Sequence, residues 1–172
     1  MFAGKTTRLI QAAHDYQSSN LQLLVVYPRK DTRYKPDALT THTGVSFPAT
    51  PINSPQQLLS LATNIQAICI DEAHFFGAEL IEVVRALLHE SAMHRNITIA
   101  GIERNHLGNP FEPFPWLLCE ADEVTKLNSS CARCGKPAIH SKRLTESTQR
   151  IAVGGIGDYE ARCRACFALS EN

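Results

Sequence analysis

The segment AICIDEAH, residues 67–74, decides the fold class. Its first four residues form an apolar run typical of a buried strand, and two carboxylates, Asp71 and Glu72, follow directly. In phosphate-binding proteins a carboxylate at the end of such a strand holds Mg²⁺, and a neighbouring acid can take a proton from an attacking hydroxyl. The segment therefore predicts a Walker B strand in a parallel sheet. The alternative is an ordinary strand end at which the side chains of Asp71 and Glu72 only face solvent.

The amino terminus supplies the partner that this strand requires. Residues 1–10, MFAGKTTRLI, contain Gly4-Lys5-Thr6, the end of a G-x-x-x-x-G-K-[ST] loop, followed by apolar residues at helical spacing. A helix that begins here offers free N–H groups to phosphate. We expect Lys5 to reach the terminal phosphates and the Thr6 hydroxyl to share Mg²⁺ with Asp71. The preceding strand and first loop glycine are missing, which favours a start codon assigned too late over an impaired chain.

Strand-like and helix-like segments alternate around these two motifs. Apolar runs of strand length stand at residues 21–27 and 97–102, and residues with helical spacing stand at 6–14, 54–61 and 77–93. This alternation predicts an α/β fold with a P-loop, RecA-like parallel sheet and helices on both faces. The polar stretch 29–46 indicates a loop, or two loops with a short element between them.

The sequence pattern changes near residue 124, where turn residues and paired cysteines replace the alternation of strand-like and helix-like segments. We therefore expect two domains. Residues 1–124 would form a P-loop nucleotide-binding α/β domain without its first strand, and residues 125–172 a small zinc-binding domain of zinc-ribbon type.

The zinc prediction rests on two C-x-x-C pairs, which contain Cys131, Cys134, Cys163 and Cys166. Four thiolates paired in this way make a closed tetrahedral Zn²⁺ site, which is structural because no position is left for water. The alternative is four unrelated small buried residues. Cys69 and Cys119 stand outside the pairs, and we expect both in the core.

Composition argues against several classes of protein. Seventeen Lys and Arg residues balance seventeen Asp and Glu residues, so no net charge favours a nucleic-acid or membrane partner. No apolar run approaches the roughly 18 residues of a membrane helix, and the amino terminus lacks the pattern of a secretion signal. We therefore expect a cytoplasmic protein whose six cysteines remain reduced.

Two rival classes share some of these motifs. Asp-Glu-Ala-His with Gly-Lys-Thr also marks helicase motors, but those hydrolyse ATP between two such domains, and this chain has room for one. No basic groove with stacking aromatics is evident in the sequence either. A zinc-ribbon nucleic-acid binder is disfavoured because the cysteine region is not strongly basic.

Several motifs together resemble one family. They are M-F-A-G-K-T-T (1–7), R-K-D-T-R-Y (29–34), D-E-A-H-F-F (71–76), N-P-F (109–111), S-K-R-L (141–144) and V-G-G-I-G-D-Y-E-A-R-C-R (153–164). Their order and spacing resemble type II thymidine kinases over nearly the whole chain. The resemblance implies a P-loop domain that carries ATP and a zinc-held lasso that closes over the nucleoside.

The resemblance also implies roles for individual residues. Glu72 would deprotonate the 5′-hydroxyl, Asp71 and Thr6 would serve Mg²⁺, and Lys5 with Asp31 and Arg33 would stabilise the transferring phosphoryl group. The implied ATP-binding residues are Met1, Phe2, Ala3, Gly4, Lys5, Thr6, Asp31, Arg33, Asp71, Glu72, Ala73 and His74. The implied nucleoside-binding residues are Met1, Phe75, Ile102, His106, Ser141, Val153, Gly154 and Tyr159.

Two histidines depart from the family pattern. His74 stands where the family usually has Gln, and His106 stands where a Phe normally stacks on thymine. An imidazole can also stack, but over less apolar area. The departure at His106 therefore affects the expected preference for thymidine and leaves the expected phosphoryl transfer unchanged.

The leading hypothesis is therefore ATP-dependent phosphorylation of thymidine to dTMP in nucleotide salvage. The alternatives are a zinc-stabilised P-loop protein that binds nucleotide without turnover, and a kinase with a different nucleoside preference. The resemblance further implies a homotetramer and inhibition by dTTP. No nucleic-acid or membrane partner is expected.

Overall fold

The computed structural model describes residues 1–31, 37–41, 43–89, 93–145 and 157–168. Its centre is a four-stranded sheet in which every pairing is parallel, as the sequence predicts. The strands are β1 (Leu23–Pro28), β4 (Thr50–Ile52), β5 (Ala67–Ile70) and β6 (Asn96–Ile99). They lie in the order β4-β1-β5-β6, so β1 and β5 occupy the middle of the sheet.

Helices cover both faces of this sheet. They are α1 (Lys5–Ser18), α2 (Gln57–Leu61), α3 (Glu79–His89) and α4 (Phe114–Glu120). Alternation along the strands separates two apolar clusters, because successive strand side chains point to opposite faces. Ile68 and Ile70 pack with α2, α3 and α4, whereas Cys69 packs with α1. The predicted α/β fold with helices on both faces is confirmed.

A short hairpin interrupts the predicted polar loop. Its antiparallel strands are β2 (Ala38–Thr40) and β3 (Ser46–Pro48), and Leu39 and Phe47 pack on the same face of the sheet as α1. The sequence allowed for one short element in this stretch, and the structure forms two strands. It also adds β4, which the sequence analysis did not predict.

The ends of the predicted elements shift by a few residues. Helix α1 continues past His14 to Ser18, α2 begins at Gln57, and β6 ends at Ile99. The backbone still extends past Ile99, since the N–H of Ala100 donates to the carbonyl of Ile70 at 2.8 Å. At Gly101 a side chain would meet the Phe114 ring at 2.5 Å, so glycine permits α4 to pack this closely.

The carboxyl-terminal part of the chain is built from short antiparallel pairs. β7 (Ser129–Ser130) pairs with β8 (Pro137–Ala138), and β9 (His140–Arg143) pairs with β10 (Tyr159–Arg162). Helix α5 (Arg164–Ala168) follows β10. Three of the paired cysteines pack here with Ala138 and Ala161 as a separate small core. The domain boundary near residue 124 stays a prediction.

Within the described residues, none of the helices combines the length and apolar character that a bilayer crossing needs.

Candidate active site

The predicted phosphate-site residues gather at the carboxyl edge of the parallel sheet. Asp31 lies just beyond β1, and Asp71 and Glu72 directly follow the neighbouring strand β5. Both aspartates are almost completely buried, at 2% and 0% exposure. Ligands of open α/β sheets bind at this edge, because strand ends and helix starts converge there.

A hydrogen bond joins the two predicted Mg²⁺ ligands. The Thr6 hydroxyl donates to Oδ2 of Asp71 at 2.8 Å, across 65 residues of sequence. The contact places the start of α1 against the end of β5, as a P-loop and a Walker B strand require. A hydroxyl and a carboxylate are the hard oxygen ligands that Mg²⁺ prefers, so these two residues fit that ion.

The start of α1 has the geometry of a phosphate-binding turn. Gly4 adopts a left-handed conformation, with φ 74°, directly before the first helical residue, Lys5. The N–H groups of a first helical turn have no partner within the helix, so they and the helix dipole favour an anion.

Glu72 occupies a strained and closely held position. Its φ is 47° in the left-handed region, which costs a side-chain-bearing residue about 1–3 kcal/mol and persists only where surrounding contacts enforce it. Oδ1 of Asp71 accepts the Glu72 N–H at 2.9 Å, and the Glu72 carbonyl accepts the Phe75 N–H at 3.0 Å. These bonds connect Glu72 to Asp71 and, through Asp71, to Thr6.

Met1 brings the P-loop, the acidic pair and the carboxyl-terminal strands together. Its amino group donates to the Ser141 hydroxyl at 2.7 Å. Burial and, to a smaller extent, the charge of Lys5 lower the pKa of this amino group to about 5, although the charge of Glu72 opposes the shift. Lys5 and Glu72 therefore both lie within electrostatic range of Met1.

A cavity of about 900 Å³ is lined by five of the predicted site residues, Met1, Ala3, Lys5, Ile102 and Ser141, and continues along β6. Glu72 and Tyr159 do not line it. Phe75 is buried in the turn that follows Glu72, and its ring lies 4.4 Å from the His74 ring. Arg33, Val153 and Gly154 lie outside the described residues.

The carboxyl-terminal strands place Tyr159 and His106 beside basic side chains. Nε of Arg143 donates to the Tyr159 hydroxyl oxygen at 3.1 Å. Burial lowers the pKa of His106, and the charges of Arg143 and Lys142 add to that effect. His106 therefore favours the neutral imidazole at pH 7 more than an exposed histidine does.

The four paired cysteines converge as their spacing predicts. Their sulfurs all lie within 4.8 Å of one another, and those of Cys134 and Cys163 lie 3.6 Å apart. Zn–S bonds of about 2.3 Å in a tetrahedron separate the sulfurs by about 3.8 Å, so the cluster has the size that Zn²⁺ requires. The described residues contain no other group of three or more His, Cys, Asp or Glu side chains this close.

Backbone N–H groups favour the thiolate, the form that binds metal, at two of the four cysteines. Hydrogen bonds from the backbone lower the pKa of the Cys131 thiol to about 6 and also lower that of Cys163. The neighbouring thiols of Cys134 and Cys163 raise the pKa of Cys166 to about 12. Because a cation stabilises thiolates, four crowded sulfurs of this kind fit a metal ion.

Sequence comparison adds a finding that is independent of this geometry. The sequence model that describes thymidine kinases matches residues 1–167. This chain belongs to the thymidine kinase family. It is 38% identical to a thymidine kinase of Rhodothermus sp. (strain ITI 518) over 167 residues, which cover 97% of this chain and 77% of that protein.

Other members of the family are similarly related. The chain is 37% identical to a thymidine kinase of Coprothermobacter proteolyticus, with 95% of this chain and 84% of that protein covered. It is 34% identical to a thymidine kinase of Halobacterium salinarum, with 98% and 90% covered. The predicted family resemblance is confirmed.

The sequence analysis of this thymidine kinase family member did not predict the buried position of Arg143. Arg143 is buried at 8% exposure and reaches Tyr159, although it was not among the predicted site residues. The sequence contains a signal for this residue, because Ser141 and Arg143 are two residues apart on one strand and their side chains therefore share a face. The same face therefore carries a predicted nucleoside-binding serine and a buried cation.

Proposed function

We propose that the chain transfers the γ-phosphoryl group of ATP to the 5′-hydroxyl of thymidine and so produces dTMP for nucleotide salvage. The observation that carries this proposal is the hydrogen-bonded sequence Thr6–Asp71–Glu72 at the carboxyl edge of the sheet. It connects a phosphate-binding helix start to an acid that can serve as base. Membership of the thymidine kinase family supports the choice of substrates.

ATP binds with its phosphates at the start of α1. The N–H groups of the first turn and the Lys5 ammonium hold the phosphate oxygens, and Asp31 and Arg33 complete the electrostatic surroundings. Thr6 and Asp71 would hold Mg²⁺, which would neutralise the charge that builds up on the phosphates. Phosphoryl transfer needs positioning and charge stabilisation above all, and these residues supply both.

Glu72 acts as the general base. One carboxylate oxygen accepts the proton of the thymidine 5′-hydroxyl as the alcohol oxygen attacks the γ-phosphorus, and ADP leaves with the bridging oxygen. The strained backbone and the bond from the Glu72 N–H to Asp71 fix the backbone of this residue next to the predicted Mg²⁺ ligand Asp71. A base fixed in advance avoids reorganisation during the reaction.

The zinc-binding part of the chain carries the nucleoside. Ser141 and Tyr159 lie on the paired strands β9 and β10, and the cysteine cluster that fits Zn²⁺ adjoins β10. Bound zinc would fix these strands but take no part in the chemistry, because four thiolates close its coordination sphere. Val153 and Gly154 are proposed as the lasso residues that contact the base.

His106 favours a nucleoside range wider than thymidine alone. Its lowered pKa favours the neutral ring, which stacks on a pyrimidine without placing a charge against the base. It covers less apolar area than a phenylalanine. We therefore include deoxyuridine among the proposed substrates.

Calorimetric titration tests the proposal against nucleotide binding without a nucleoside site. We expect the purified chain to bind both MgATP and thymidine, and to bind deoxyuridine within about tenfold of thymidine, because the loss of a single methyl contact costs about 1 kcal/mol. Adenosine serves as the control ligand. Binding of MgATP with no heat from any deoxynucleoside would contradict the proposal and favour a nucleotide-binding module.

A further inference from the structure

We propose that His74 is a positioning residue that holds the Glu72 carboxylate in its reactive orientation. This inference rests on the proposed function, since it concerns the base of the same reaction. It gives His74 a different role from that of the ATP-binding residue implied by the family resemblance.

The two side chains meet in a buried setting. Nδ1 of His74 lies 3.5 Å from Oε2 of Glu72, and the residues are 5% and 7% exposed. Removal of water strengthens an interaction between a carboxylate and a ring N–H. The distance exceeds the 2.7–3.2 Å or so of a formed hydrogen bond, and such contacts in unliganded sites commonly tighten when substrate binds.

Two aromatic rings fix the imidazole. The Phe75 ring lies 4.4 Å from the His74 ring at 32°, and the Phe111 ring lies 5.2 Å away at 52°. Phe111 is itself anchored, because its N–H donates to the carbonyl of Glu103 at 2.9 Å. The backbone of His74 belongs to a short 3₁₀ turn, Ala73–Phe75. The ring therefore has little freedom to leave Glu72.

This arrangement divides the work of the carboxylate between its two oxygens. When substrate binds, the His74 Nδ1–H closes on Oε2, and Oε1 then accepts the proton of the substrate hydroxyl. His74 keeps its own proton throughout, so it is not a second base. Its contribution is orientation, and misplacement of a reacting group by about 1 Å can lower a rate about a hundredfold.

Two substitutions separate this role from simple packing. His74→Asn keeps a side-chain N–H at the same number of bonds from the backbone as Nδ1, whereas His74→Phe keeps an aromatic ring between Phe75 and Phe111 but lacks the N–H. We expect His74→Phe to lower kcat about 10- to 50-fold with both KM values within about twofold, as loss of orientation alone would do. We expect His74→Asn to keep kcat within about threefold of the unsubstituted chain.

The same substitution in a chain without the base gives the sharpest readout. In the Glu72→Gln background, His74→Phe should lower the residual kcat no further, because no carboxylate remains to be oriented. Thermal unfolding of each variant checks that it is folded. If His74→Phe gives no cooperative transition, His74→Met, which fills the same space without an N–H, takes its place.

Three results would overturn the proposal: normal kcat in His74→Phe, equal losses in the Phe and Asn variants, or a further loss in the Glu72→Gln background. Absence of turnover in the unsubstituted chain is a separate result. It would contradict the proposed kinase activity itself, before any comparison of His74 variants.

Discussion

Glu72→Gln is expected to lower kcat about a thousandfold while the affinity for MgATP stays within about twofold. The substitution keeps the size and hydrogen-bonding capacity of the side chain but removes its ability to accept a proton at neutral pH. General-base catalysis contributes about 10²–10⁴ in rate, which sets the expected loss. The left-handed backbone and the bond from the Glu72 N–H to Asp71 do not depend on the carboxylate, so the site should remain assembled.

The measurement is steady-state turnover of thymidine, together with titration of MgATP into each protein. Glu79→Gln is the matched control, since Glu79 is exposed at the start of α3, where its carboxylate accepts a hydrogen bond from the Gln56 side chain. It should retain normal kcat. Turnover of Glu72→Gln within threefold of the unsubstituted chain would remove Glu72 from the role of base.

Cys163→Ser is expected to release bound zinc and to abolish nucleoside binding. Structural zinc contributes about 10–16 kcal/mol of apparent binding free energy, far more than the stability of a small module without metal. Cys163 directly follows β10, which carries Tyr159 and pairs with the strand that carries Ser141. Loss of the zinc cluster should therefore disorder the two strands that carry the proposed nucleoside-binding residues Tyr159 and Ser141.

Metal analysis and paired titrations check this expectation. We expect about one zinc per chain in the unsubstituted protein, as one four-cysteine site holds one ion. We expect almost none in Cys163→Ser, with MgATP still bound because α1 and β5 lie outside the zinc-binding part. Cys119→Ser is the matched control, since this thiol is outside the cluster and is exposed, so its predicted place in the core was wrong. Unchanged zinc content in Cys163→Ser would refute the assignment of the cluster.

The sequence predicted those parts of the structure that depend on local pattern. The apolar run 67–70 became a fully buried strand, and the amphipathic spacing of residues 77–93 produced α3. The cysteine cluster also follows from spacing, because each C-x-x-C pair places two sulfurs on one turn. In each case the chemistry and the spacing of a few residues suffice.

Strand β4 shows what such patterns do not reveal. It has three residues, Thr50–Ile52, and a proline at its centre, which argues against a strand by composition. The proline is tolerated because β4 lies at the edge of the sheet and pairs on one side only. Edge position depends on the assembled topology, which no local window contains.

Local sequence pattern also could not predict the orientation of Glu72, the proposed general base. The left-handed φ of Glu72 arises from contacts with Asp71 and from the turn that follows, and any single residue type other than glycine predicts the opposite sign. The ring of Phe111, which helps to fix His74, is distant in sequence. Arg143 was overlooked for a different reason, since its shared face with Ser141 becomes informative only when residues 140–143 are known to form a strand.

Transfer of label from [γ-³²P]ATP to thymidine tests the central claim most directly. The claim is that a phosphate-binding helix start and the Glu72 carboxylate act on one nucleoside hydroxyl. We predict ³²P in dTMP, released as inorganic phosphate by a 5′-nucleotidase, with the unsubstituted chain and almost none with Glu72→Gln. Label that remains in ATP, or appears only as inorganic phosphate before the nucleotidase is added, would contradict the account.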